Sequence, residues 1–137
     1  MTKFKVLLFI LSFVLNIQSK AQNILPEQVV QIQLEAYNEG DIDKFMSVFH
    51  QEAELWNLGD EKPIAEGWAN LKAIYTNLFE KSPNLHSEVI NRTKIGNKII
   101  DYEKITGRNN SNEALFLIMI YEIKDDKIYR AFSVREK

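Results

Sequence analysis

Acidic, basic and imidazole side chains concentrate on segments 85–95 and 98–107, which flank the tight-turn signal Gly96-Asn97. A two-residue hairpin turn at this signal pairs Arg92 with Asp101 and Ile90 with Glu103. Alternate residues of paired strands share one face of a sheet. One face is therefore predicted to carry His86, Glu88, Arg92, Asp101 and Glu103. Such a set can supply an acid or a base together with a guanidinium that holds an anion.

Within this set, Glu103 is the best candidate for a general base, with His86 and Asp101 as further catalytic candidates and Arg92 as a ligand-binding candidate. An arginine opposite an acid keeps that acid ionised, whereas burial raises the pKa of a carboxyl towards neutrality. We therefore expect Glu103→Gln to abolish any turnover and to change stability by no more than about 1 kcal/mol, the scale of a cross-strand pair. The alternative is a solvated sheet face with ordinary ion pairs, which is the commoner arrangement for such charges.

Aromatic residues and one more arginine are further ligand-binding candidates. A second hairpin around residues 125–126 pairs Tyr121 with Arg130 among apolar neighbours, which favours a role in orienting a ligand. Cation–π packing at the end of the sheet is an equal alternative. Trp56 and Tyr75 are candidates for the mouth of a pocket, although aromatic residues at such spacings are usually core.

No metal site or cofactor is predicted. The chain has two histidines, His50 and His86, and no cysteine, and neither histidine has ligand-type spacing around it. The sequence also lacks a nucleophile elbow and a phosphate-binding loop.

Three helices and five strands must position these residues. Apolar spacing predicts helices over residues 24–40, 42–50 and 67–81, with Gly40 ending the first and Asp41 capping the second. Strands are predicted over residues 53–58, 85–95, 98–107, 113–123 and 127–136. The order α-α-β-α-β-β-β-β indicates an α+β fold with a mostly antiparallel sheet. Residues 115–120 are apolar on both faces of their strand, which predicts cover from a second subunit.

The first 21 residues are typical of a secretory signal peptide. Lys3 and Lys5 precede an apolar run over residues 6–15, and Ser19-Lys20-Ala21 fits a cleavage site. The run is too short to span a bilayer stably, and an uncleaved anchor is the alternative. We expect one mature domain, residues 22–137, that is secreted or periplasmic and no longer membrane-bound.

Cleavage would remove three lysines and change the formal charge from −2 to −5. A mildly acidic domain without a basic cluster is a poor nucleic-acid binder, so no nucleic-acid partner is expected.

The segment YNEGDIDKFMSVFHQEAELW, followed by EGWANLKAIYTNLF and later by GNKIIDYEKITGR and IYEIKDDKIYRAF, resembles the SnoaL-like group. This group belongs to the nuclear-transport-factor-2-like superfamily and includes ketosteroid isomerases and polyketide cyclases. The resemblance covers nearly all of residues 22–137. It implies a curved sheet that wraps into a cone around the N-terminal helices, with a pocket inside and a homodimer through the outer face. It is informative about fold and poor for function, since such scaffolds host many activities.

The resemblance also identifies where ketosteroid isomerase chemistry would sit. That chemistry needs a carboxylate base, a tyrosine and a protonated acid. Matching on Asn38–Asp41 places these groups at Asn57, Gln33 and Met119, and none of the three has the required side chain. Ketosteroid isomerase itself is therefore disfavoured.

Together these patterns predict a secreted SnoaL-like protein that binds a small, partly apolar molecule in its cone. They leave open whether it is an enzyme with isomerase- or cyclase-type acid/base chemistry. The alternative is a non-catalytic dimeric or interaction module whose cone is filled by its own side chains. An open cavity of roughly 300 Å³ or more would favour the ligand-binding protein.

Overall fold

A computed structural model of the chain describes residues 23–135, so the predicted signal peptide lies outside the described residues. The elements are α1 (Pro26–Glu39), α2 (Ile42–Ser47), β1 (Phe49–Asn57), β2 (Ala65–Glu66), α3 (Trp68–Lys81), β3 (His86–Ile95), β4 (Lys98–Thr106), a 3₁₀ turn (Arg108–Asn110), β5 (Leu115–Lys124) and β6 (Lys127–Val134). All predicted helices and strands are present, and the short β2 is an addition.

Six strands form one sheet in the order β2-β1-β6-β5-β4-β3. Neighbouring strands are antiparallel except β1 and β6, which are parallel. The sheet curves around the helices, and this α+β cone confirms the predicted fold class. Because β4 and β6 are both antiparallel to β5, they run in the same direction and their C-terminal ends lie at the same end of the sheet.

The junction between the first two helices follows the sequence prediction at residues 38–41. Gly40 adopts a left-handed conformation with φ 66° and ends α1. Asp41 then caps α2, because its Oδ1 accepts a 3.0 Å hydrogen bond from the backbone N–H of Lys44. The predicted second helix was too long: α2 stops at Ser47, and Phe49 begins β1.

The core lies between the helices and the concave face of the sheet. Phe45 of α2 is fully buried, with its ring centroid 4.4 Å from that of Tyr75 in α3 and 5.0 Å from that of Phe49 in β1. Such aromatic contacts join both helices to the first strand. The convex face is only partly covered, since Tyr102, Phe116 and Ile118 remain 40%, 48% and 37% exposed there.

An extra residue in β3 shifts the register of the first hairpin. Arg92 pairs with Asp101 as predicted, but a bulge at Ile90 makes Val89 the partner of Glu103. Because side chains alternate with period two, the bulge exchanges the faces of all β3 residues that lie farther from the turn than Ile90. The prediction that His86 and Glu88 share a face with Glu103 was therefore wrong: both are exposed, and the intervening side chain of Ser87 is buried.

The second hairpin contains a corresponding bulge at Tyr129. The aspartates at its turn have φ of 53° and 57°, which confirms the predicted turn. Beyond the bulge, Tyr121 pairs with Ala131 and Glu122 pairs with Arg130. The predicted pairing of Tyr121 with Arg130 was therefore wrong, and the two side chains lie on opposite faces. No helix within residues 23–135 is long and apolar enough to cross a membrane.

Candidate functional site: the cone cavity

The cone contains an open cavity of about 280 Å³ between α1, α3 and the concave face of the sheet. This volume lies just below the range usual for ligand pockets of about 300–1,000 Å³. Much of the wall is apolar and is formed by Leu34, Leu55, Ile74, Leu78, Leu117 and Met119. The charged side chains of the lining lie in two places, one at Glu103 and one near the C-terminal ends of β4 and β6.

Glu103 is the acid of the cavity wall. It lies in the middle of β4 and is 5% exposed. The Ser87 hydroxyl donates a 2.8 Å hydrogen bond to its Oε2, and the Tyr121 hydroxyl donates a longer, 3.3 Å bond to its Oε1. Burial raises the pKa of Glu103 to about 7, aided by the negative charge of Asp101 and opposed by these two hydrogen bonds. Glu103 therefore exists in both protonation states near neutral pH.

Asp101 lies two residues along the same strand, but it is already engaged. Its carboxylate is 1% exposed and accepts two bonds from Arg92, 2.7 Å from Nε and 2.8 Å from Nη2. The hydrogen bond to Asp101 raises the pKa of Arg92. Arg92 also donates to Gln31 of α1 at 3.1 Å. Asp101 and Arg92 therefore fasten β3, β4 and α1 together outside the cavity lining.

Three tyrosines line the cavity as neutral hydrogen-bonding groups. Burial raises the pKa of Tyr37 to about 12 and raises the pKa values of Tyr75 and Tyr121 above their ordinary value. The Tyr121 hydroxyl is used by Glu103. The hydroxyl of Tyr37, which is 6% exposed, has no hydrogen-bond partner of normal geometry among residues 23–135. Burying such a group without a partner is costly, and the hydroxyl oxygen itself is sealed from solvent, so a ligand would reach it only if neighbouring side chains moved.

The other polar region is cationic. Lys81 ends α3, Arg108 follows β4 and Arg135 follows β6, and all three line the cavity. Burial and the charge of Arg108 both lower the pKa of Arg135. Within residues 23–135 the arginine salt bridges are those of Arg92 and Arg130, so neither cavity arginine is paired with a carboxylate of that range.

The turn that carries Arg108 is held tightly in place. The backbone N–H of Asn109 donates a 2.8 Å bond to Oγ of Ser82, a buried residue just after α3. Gly107 has φ 71°, and a Cβ at this position would collide with the carbonyl of Asn84. Only glycine fits this close approach, and it fixes where Arg108 leaves the strand.

Five of the predicted site residues lie outside the cavity lining: Asp101 and Arg92, described above, and His86, Trp56 and Arg130. His86 is exposed on the convex face because of the bulge in β3. Trp56 also faces outward: its ring stacks on Phe132, and its indole N–H donates a 2.8 Å bond to Glu54. Arg130 pairs with the same Glu54 at 3.1 Å. The face that each strand turns inward decides these positions, and the strand patterns alone did not specify it.

The sequence prediction also omitted residues that the fold brings into the cavity. Ser87 was missed because its inward orientation depends on the bulge. Tyr37 lies on the apolar stripe of α1, where spacing alone predicts a core residue. Arg108 follows the predicted strand 98–107, and Arg135 lies near the end of the predicted strand 127–136. Their convergence becomes visible only once the parallel course of β4 and β6 is known.

The positions implied by ketosteroid isomerase chemistry lie close to the cavity but lack its groups. Gln33 and Met119 line the cavity. Asn57 donates to Asp60 at 2.9 Å and accepts a 2.9 Å bond from Ser133. Within residues 23–135 no cluster of three or more histidine or acidic side chains could hold a metal ion. Among the residues described, Glu103 on a different strand is the one carboxyl in the lining of this cavity.

Comparisons with known proteins place this geometry in a family. A family model described as a SnoaL-like domain matches residues 30–131. An uncharacterised cystatin-fold protein from Novosphingobium aromaticivorans superposes with a TM-score of 0.75 at 20% identity, over 82% of this chain and 99% of that one. An NTF2-like protein of unknown function from Cytophaga hutchinsonii gives 0.70 at 11% identity, over 85% and 94%. A candidate ketosteroid isomerase from Kribbella flavida gives 0.68 at 12% identity, over 82% and 78%. No curated protein matches the sequence significantly.

Proposed function

We propose that the cone of this chain, which belongs to the SnoaL-like domain family, binds a small, partly apolar molecule and transfers a proton on it. Glu103 is the general acid/base. The observation that carries this proposal is the position of Glu103, a buried carboxyl in the wall of an open cavity with a pKa of about 7. A base with a pKa near the working pH combines a useful ionised fraction with good proton affinity.

The arrangement around Glu103 suits abstraction of a proton from a carbon next to a carbonyl. The ionised carboxyl would take that proton and return it to the same or a neighbouring atom. Ser87 and Tyr121 hold the two carboxyl oxygens. The Tyr37 hydroxyl is buried in this structure, and after a movement of its neighbours it could donate to the carbonyl oxygen as negative charge develops on it. This division of roles resembles the isomerase chemistry named for one structural relative, but it uses a different strand for the base.

An open cavity also argues against a purely structural cone. A module filled by its own side chains would leave no space beside Glu103, whereas about 280 Å³ is open here. Nor would a filled core retain a buried acid and an unpartnered tyrosine hydroxyl without cost.

A solvent-exchange experiment tests the proposal. Small cyclic and open-chain ketones are incubated with the protein in D₂O, and loss of the proton signal next to the carbonyl is followed by NMR. We expect protein-dependent exchange with a rate that rises through pH 7 as Glu103 ionises. Glu103→Gln should abolish it, because an amide cannot accept the proton.

Glu88→Gln is the matched control, since Glu88 lies one residue from Ser87 but is exposed on the convex face. It should exchange at the wild-type rate. Exchange that persists in Glu103→Gln would contradict the assignment of the base. Absence of exchange with every ketone of the panel would contradict proton transfer as the function.

We also propose that the protein acts outside the cytoplasm as a homodimer. Its N-terminal pattern supports export. The exposed side chains of Tyr102, Phe116 and Ile118 lie on adjacent strands of the convex face, with the rings of Tyr102 and Phe116 6.3 Å apart. An apolar patch of this kind favours a second subunit as its cover.

A further inference from the structure

We propose that the molecule bound in the cone is an organic anion, a carboxylate on a small apolar body, whose charged group is held by Arg108 and Arg135. This inference rests on the proposed function only in using the same cavity, and it names the chemical class of the ligand.

The first argument is convergence. Arg108 and Arg135 are 27 positions apart in sequence, yet each follows a strand that ends at the same end of the sheet. Lys81 joins them from the end of α3, whose C-terminal segment is bonded to the Arg108 turn through Ser82. Three cations from three elements therefore line one cavity.

The second argument is the imbalance of charge. The cavity lining contains these three cations and a single acid, Glu103. The two arginines are close enough for the charge of one to disfavour the charge of the other. Like charges are brought together in this way at a cost, and a bound anion relieves it. Arg92, by contrast, is paired with Asp101.

The third argument concerns Tyr37. The charge of Arg108 acts on its buried hydroxyl, although no hydrogen bond of normal geometry joins the two. The charge of Glu103 acts on the same hydroxyl. Tyr37 therefore lies near both the cationic region and the acid. A ligand whose carboxylate meets the arginines would extend past Tyr37 towards Glu103.

The rest of the lining determines the class of anion. Leucine, isoleucine and methionine side chains make up much of the wall, which favours an apolar body for the ligand. A planar carboxylate can accept two parallel bonds from a guanidinium. The volume of about 280 Å³ restricts the body to a small one.

Calorimetric titration with matched ligands tests the inference. Straight-chain monocarboxylates of four to eight carbons are compared with the primary amides of the same length, which have the same shape without the charge. Alkyl phosphates and sulfonates form a further arm, which establishes whether another anionic group replaces the carboxylate. We expect at least tenfold tighter binding of the carboxylates than of their amides, weakening as salt rises from 50 to 500 mM.

Variants then assign the charge preference to its residues. Arg108→Gln and Arg135→Gln should each reduce the preference for carboxylate, and the double variant should remove it. Arg130→Gln is the matched control, because this arginine lies on the convex face and should leave the preference unchanged. Circular dichroism establishes that each variant is folded. If a glutamine variant fails to fold, the Arg→Lys variant at the same position replaces it. Lysine keeps the charge without the planar guanidinium, so this variant should keep only part of the wild-type preference.

Several results would overturn the inference: equal affinity for acid and amide, a preference for carboxylate that survives in the double variant, tighter binding of phosphate or sulfonate, or binding of none of the series at 10 mM.

Failure here is distinguishable from failure of the proposed proton transfer. Ketone exchange without a preference for carboxylate would overturn only this inference. A preference for carboxylate that persists in Glu103→Gln, together with no exchange in the wild type, would overturn only the proton transfer.

Discussion

Replacing Glu103 by glutamine should change how the stability of this protein depends on pH. The carboxyl is 5% exposed and has a pKa of about 7 in the folded chain, against an ordinary value of 4.5. Between these two values the folded protein keeps a proton that the unfolded chain has lost. The free energy of unfolding must therefore fall as pH rises from about 4.5 through 7.

The size of this effect follows from the difference between the two pKa values. One pKa unit corresponds to about 1.4 kcal/mol, so the raised pKa of Glu103 accounts for a loss of about 3 kcal/mol between pH 4 and pH 8.5. The substituted amide would be neutral throughout, and this loss would be absent from the variant. The two proteins should have similar stability at pH 4, and the variant should be more stable at pH 8.5. The sequence-based expectation was that Glu103→Gln changes stability by no more than about 1 kcal/mol, the scale of an ordinary cross-strand pair. Because Glu103 is buried, we expect so small a change only at acidic pH, where its carboxyl is protonated.

The measurement is urea unfolding, followed by tryptophan fluorescence at half-unit steps from pH 4 to pH 8.5. The informative quantity is the difference in unfolding free energy between wild type and variant, because other titrating groups affect both proteins equally. Glu88→Gln removes an exposed carboxyl nearby and should follow the wild-type curve. If the wild-type and Glu103→Gln curves stay parallel over this range, the carboxyl is not destabilised by burial and the reasoning fails.

Four further outcomes test other parts of the molecule. Gly107→Ala should lower stability by more than about 2 kcal/mol in thermal unfolding, because the new Cβ would collide with a backbone carbonyl at a positive φ; an unchanged melting temperature would contradict this. Arg92→Met should cost about 3–5 kcal/mol at pH 8 by leaving Asp101 buried and unpaired, and adding Asp101→Asn should recover most of that loss. Phe116→Glu on the convex face should convert a dimer into a monomer in sedimentation, and a wild-type monomer at micromolar concentration would refute dimerisation. Mass spectrometry of the exported fraction should find Gln22 as the N-terminus, and an intact cytosolic chain would refute export.

The fold was predictable because its signals are local. Apolar spacing defines the three helices, and the junction at Gly40 and Asp41 is fixed by a helix stop next to a helix cap. Both hairpin turns were also predictable from their residues. The errors of extent occurred where two patterns overlap: Phe49 continues the apolar stripe of α2 by spacing, yet it begins β1.

The site was less predictable because its residues depend on register and topology. The contact between Arg92 and Asp101 could be derived by counting from the turn, since this pair lies between the turn and the bulge. Ser87 could not, because a bulge leaves no clear mark in an alternating segment. Arg108 and Arg135 converge only because two strands run in the same direction, and no local pattern encodes that relation.

The two bulges have a common chemical consequence for Glu103. Without the extra residue in β3, the charged side chains of Glu88 and His86 would enter the cone, whereas the actual neighbour is the neutral hydroxyl of Ser87. Without the extra residue in β6, Arg130 would lie opposite Tyr121, whereas the actual partner is Ala131. A cation there would favour the ionised form of Glu103. By turning these charges outward, the bulges leave Glu103 bonded only to hydroxyl groups, so burial remains the dominant influence and keeps its pKa near neutrality. The irregularities that defeat simple counting along the strands are thus the features that make an acid/base role for this carboxyl chemically reasonable.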